Sequence, residues 1–133
     1  MFRSLFSRNR TPLTGAPAVR RVKNYAAQSG YAYQYFYKGH RDFRTAADSG
    51  IEFVFRVSGD RKVWQDTSVL LSGAATDGWQ QRHTRELSPA EKYAIAKIAL
   101  FQAFDERSEP PLMKTPVVVR PVDIDAIVET LGL

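Results

Sequence analysis

The chain has 133 residues, 44% of them hydrophobic and 25% charged, with a net charge of +5 and no cysteine. That length suits one domain with a real core and excludes two ordinary ones; the composition is that of an ordinary soluble globular protein, and no stretch reaches the ~20 apolar residues of a membrane-spanning helix. Without cysteine, disulfides, thiolate nucleophiles and thiolate zinc sites all fall away.

The charge is unevenly placed. Residues 1–41 hold Arg3, Arg8, Arg10, Arg20, Arg21, Lys23, Lys38 and Arg41 and no acid, a local charge of +8, so the remaining 11 basic and 14 acidic residues give −3. A basic leader on a slightly acidic body suits a polyanion, an anionic membrane surface or an acidic protein partner, and equally a solvated tail.

Residues 1–10 set Phe2, Leu5 and Phe6 at helical spacing among Arg3, Arg8 and Arg10, a short amphipathic turn with a basic rim. The cytosol is the default compartment, although an Arg- and Ser-rich, acid-free start also has the composition of an organellar transit peptide. Pro12, Gly15 and Pro17 then make a linker, because so many breakers defeat both helix and ladder pairing. This divides the chain into a basic arm over 1–17 and one folded domain over 18–133.

Residues 18–28 fit a helical face through Val19, Val22 and Ala26, or a strand entering a turn at Gly30. From Tyr31 the pattern sharpens: Tyr31, Tyr33, Tyr35 and Tyr37 alternate with Ala32, Gln34, Phe36 and Lys38, which predicts a strand with four tyrosines on one face. Gly39, His40, Arg41 and Asp42 read as the polar turn that ends it. Ile51, Phe53, Phe55 and Val57 alternate again, a turn follows at residues 58–61, and the chain runs out through Val63, Trp64, Thr67, Val69 and Leu70, a β-hairpin. Residues 72–78 read as a flexible connection and 79–87 as an edge strand.

Ser88, Pro89 and Glu91 form a helix start with an S-x-x-E capping box, predicting a helix over 89–107 that ends before Pro110 and Pro111. It is apolar nearly all round, so one face packs on the sheet and another needs a cover from the last helix or a partner subunit. Residues 117–119 predict a short edge strand. A last helix follows with Asp123 as its cap, an apolar face of Ile124, Ile127, Val128 and Leu131, and Gly132 at its end. The expected fold is therefore α+β: an antiparallel sheet of three to four strands, one long helix on a face, and a C-terminal strand and helix.

Motifs for catalysis are missing. No glycine falls in a G-x-G-x-x-G or P-loop frame, there is no G-x-S-x-G elbow, and His40 and His83 are not at metal-ligand spacing. Neither a cofactor nor a metal is expected. Two features remain as candidate sites. The tyrosine ribbon, with Arg3, Arg8, Arg10, Arg20, Arg21 and Lys23 beside it, can contact a partner, because four phenols do not fit a dry core unless each hydroxyl is satisfied. The loop with His40, Arg41 and Asp42 can bind or orient an anion. The sequence thus points to a non-catalytic interaction module, a small accessory subunit that docks a protein partner or a second copy. Its rivals are a nucleic-acid binder that stacks bases on the tyrosines, and a small-molecule binder or enzyme using His40, Arg41 and Asp42.

Overall fold

The computed structural model describes residues 11–133; the expected amphipathic turn and Arg3, Arg8 and Arg10 lie outside them. The fold is α+β, as expected, but with five strands and three helices. Four strands, β1 (Lys23–Ala26), β2 (Ala32–Arg44), β3 (Ser49–Ser58) and β4 (Trp64–Ser72), form an antiparallel meander. The chain then passes through α1 (Gly73–His83), α2 (Pro89–Glu106) and a 3₁₀ turn (Pro110–Lys114). It returns as β5 (Val117–Val119), parallel to β4, and ends in α3 (Pro121–Leu131).

The undecided stretch over 18–28 thus holds a short strand, β1 at Lys23–Ala26, on the edge of the sheet. The supposed turn at Gly39 is the middle of a strand. Gly39 takes a φ of +123° at a register shift opposite Val54 and Phe55, so β2 bulges and continues instead of ending. The flexible connection and edge strand expected over 72–87 are replaced by α1. Ser72 caps it, its hydroxyl accepting the Ala75 N–H, and Ala75, Thr76 and Trp79 are buried. Small residues serve here because α1 starts hard against β3: a Cβ on Gly73 would sit 2.7 Å from the Ser49 carbonyl oxygen.

The core lies between the inner face of the sheet and the helices. Tyr33, Tyr35, Phe53, Phe55, Val57, Val69 and Leu71 meet Ile95, Ala96, Leu100 and Phe104 of α2. α2 keeps the predicted capping box and contacts β4 and β5 as well as α3, so the second cover comes from Ile124, Ile127 and Val128 of this chain's own last helix. That helix starts earlier than expected. Pro121 takes its first turn, and Asp123, instead of being the cap, accepts the Arg120 N–H at 2.9 Å from three residues inside. Arg107 fastens the 3₁₀ turn beneath the sheet by donating to the carbonyls of Leu112, Thr115 and Pro116.

Candidate functional site: a cleft between strand β2 and the start of helix α2

The bulge at Gly39 decides which side chains of β2 reach the inner face. Before it, Tyr33, Tyr35 and Tyr37 point inward, at odd positions. Tyr37 pairs with Phe55, but beyond the extra residue His40 pairs with Phe53 and Asp42 with Ile51, so the even positions now face in. His40 and Asp42 therefore join Tyr37 in lining a cleft of about 580 Å³, closed on the other side by Pro89, Ala90, Lys92 and Tyr93 of α2.

Arg41 turns the opposite way. On the outer face its Nε donates to Glu52 at 2.9 Å; Glu52, 2% exposed, also accepts the Ser68 hydroxyl at 2.6 Å. The expected trio is thus split: His40 and Asp42 line the cleft and Arg41 is committed to a buried ion pair behind it.

The walls are aromatic. The ring centroid of Tyr93 lies 4.7 Å from that of Tyr37 and 6.3 Å from that of Phe53. The Tyr37 hydroxyl is 2.9 Å from Nδ1 of His40. Burial, with Tyr93 alongside, pushes the Tyr37 phenol well above its ordinary pKa, and burial raises that of Tyr93 too. Tyr37 therefore keeps its proton at neutral pH and can donate it to Nδ1, an arrangement that puts the imidazole proton on Nε2.

The rim comes from the segment read as a linker. Thr14 and His40 exchange backbone hydrogen bonds of 2.9 and 2.8 Å, adding one bridge to the edge of β2 beyond β1. Gly15 and Pro17 then border the cleft. Gly15 has a φ of +84°, and a Cβ there would come within 2.7 Å of the His40 ring, so only glycine lets the strap lie this close.

The other expected contact residues are scattered. Tyr33 and Tyr35 are 0% and 5% exposed, Tyr33 stacked on Phe104 at 4.1 Å and Tyr35 edge-on to Phe101. Tyr31 is exposed, just outside β2. Arg20, Arg21 and Lys23 are exposed beside Val19 and Val22, and the Arg20 guanidinium lies 4.4 Å over the ring of Phe36 on the outer face. Lys92, Tyr93, Phe53 and Ile51 were missed as site residues. In the sequence Tyr93 is one more apolar position of a helix stripe and Lys92 one more solvated charge; only the packing of α2 on β2 brings them to His40.

Among the described residues no three His, Asp or Glu side chains cluster as a metal site, and no helix is long and apolar enough to cross a membrane. No family model matches the chain, and neither a curated protein nor a solved structure matches it.

Proposed function

We propose that the chain is a small-molecule-binding domain whose ligand occupies the cleft between β2, β3 and the first turn of α2. The observation that carries this reading is the convergence in one concavity of Tyr37, His40 and Asp42 from the strand with Lys92 and Tyr93 from the helix. A mostly apolar cleft of this volume with a few placed polar groups is the usual form of a site for a small organic molecule. The Tyr37–His40 pair, 2.9 Å apart, supplies polar groups that can orient a ligand within an aromatic slot. The test uses N-phenyl-1-naphthylamine, a neutral dye that brightens in apolar sites. The full chain should take it up saturably, and Ala90→Trp, at the exposed mouth, should abolish that uptake while leaving the circular dichroism unchanged. Dye uptake that is absent, or indifferent to Ala90→Trp, overturns the reading.

A second reading keeps the interaction module, on the exposed apolar and basic run Val19, Arg20, Arg21, Val22 and Lys23 beside edge strand β1. Such a run fits an acidic protein surface. Under this reading, substituting Arg20, Arg21 and Lys23 together by alanine abolishes capture of a defined partner from nuclease-treated native extract. An unchanged capture removes it. Base stacking on the tyrosines has less to stand on, since Tyr33 and Tyr35 present no free ring face.

A further inference from the structure

Two charges of opposite sign face the cleft from its two walls, Asp42 on β2 and Lys92 on α2. Among the described residues neither has an oppositely charged side chain within 4.0 Å, and they are not within that distance of each other. Several nearby charges of the sheet are paired, Arg41 with Glu52 and Lys38 and Arg56 with Asp66, while Arg44 at the end of β2 has no such partner among the described residues. The cleft that Asp42 and Lys92 line is also lined by the rings of Tyr37, Phe53 and Tyr93 and by Ile51 and Pro17.

We propose that the cleft is selective for a zwitterion with a flat apolar body, the amino-acid type of ligand, its ammonium group on Asp42 and its acid group on Lys92. The inference rests on the ligand-binding reading above and adds the chemical class. An anion would meet Lys92 and be repelled by Asp42; a cation would meet Asp42 and be repelled by Lys92. A neutral body can fill the aromatic walls but leaves both charges without a partner, so it gains nothing from either. Only a molecule carrying both charges pairs each with its opposite. The aromatic walls act in the same direction, because ring faces attract an ammonium group as well as stack on a planar body. His40, its Nδ1 2.9 Å from the Tyr37 hydroxyl, lines the same cleft as Lys92.

Four compounds that share an indole ring separate the possibilities: L-tryptophan with both charges, tryptamine with the ammonium alone, indole-3-propionate with the carboxylate alone, and indole with neither. Calorimetric titration of the full chain at neutral pH should rank L-tryptophan at least about tenfold tighter than either singly charged analogue, the worth of one charge-assisted contact. Asp42→Asn should bring L-tryptophan down to the level of indole-3-propionate, and Lys92→Gln down to that of tryptamine. Asp42 is exposed and Lys92 half-buried, so neither change threatens the fold. A singly charged analogue that equals L-tryptophan, variants that leave its affinity unchanged, or no binding by any of the four would each overturn the zwitterion assignment. Uptake of the neutral dye is unaffected by any of these outcomes, so the ligand-binding reading stands or falls separately.

Discussion

At the scale of single residues, one glycine has the widest influence. With its φ of +123°, Gly39 lets β2 bulge so that Lys38 becomes an extra position, which reverses the inward and outward sets of the strand, sending Arg41 out to Glu52 and His40 and Asp42 into the cleft. The three neighbours therefore differ in what substitution does. Arg41→Ala strands a carboxylate that is almost fully buried, and removal of one partner from such a pair costs about 3–5 kcal/mol. Because the Arg41 side chain is itself 12% exposed, the lower end, about 3 kcal/mol, is expected in urea unfolding. A shift in ΔG below about 0.5 kcal/mol, the level of ordinary surface changes, would contradict this. Glu52→Gln in the Arg41→Ala background should restore part of the loss, since the neutral amide is cheaper to bury. Sequence reading placed the three residues correctly as neighbours. It gave them one shared direction because a glycine among polar residues looks like a turn, and a bulge shows only once the partner strand is known.

At the scale of elements, legibility followed how local each cause is. The start of α2 was plain because its capping box satisfies orphan N–H groups within four residues: the Ser88 hydroxyl accepts the Glu91 N–H and the Glu91 carboxylate accepts the Ser88 N–H. The β3–β4 hairpin was plain from its alternation. Its turn is held by Asp60, whose carboxylate accepts the Lys62 and Val63 N–H groups, bonds that hold its pKa below the ordinary carboxylate range. Helix α1 was hidden, because glycines and β-branched threonine make its local preference poor. What holds it is tertiary: Ala75 and Trp79 buried in the common core, and α3 alongside. The run of three valines in β5 announced a strand, but whether it would lie parallel or antiparallel to its neighbour depends on the crossover and not on the valines.

At the scale of the molecule, the packing of α2 against the sheet buries phenols in number, and that has a signature in pH. Tyr25, Tyr33, Tyr35, Tyr37 and Tyr93 all have pKa values raised above the ordinary 10.0, chiefly by burial. A raised folded value means that the native state holds protons that the unfolded chain gives up, so the stability these groups contribute is fully present below pH 10 and is lost as pH rises beyond it. Lys97, its pKa lowered by burial and by Lys23, acts with the opposite sign below 10.5, but it is one group against five. The expected outcome is a melting temperature flat with respect to these tyrosines between pH 7 and 9 that falls steeply above 10. Their phenolate absorbance near 295 nm should rise together with the loss of far-ultraviolet circular dichroism; phenolate absorbance that rises while the fold persists would refute it. The class of fold was readable from the chain because it depends on periodicity. The cleft was not, because its walls, β2 with β3 and the first turn of α2, are far apart in sequence and meet only through long-range packing. The same topology governs how the chain can be completed. Because β5 docks beside β4, and α3 lies over α1 and α2, the earlier strands and helices retain an uncovered oily flank until β5 and α3 are in place. A chain cut before β5 has no finished interior, so the seating of β5 and α3 against β4, α1 and α2 is what closes the core.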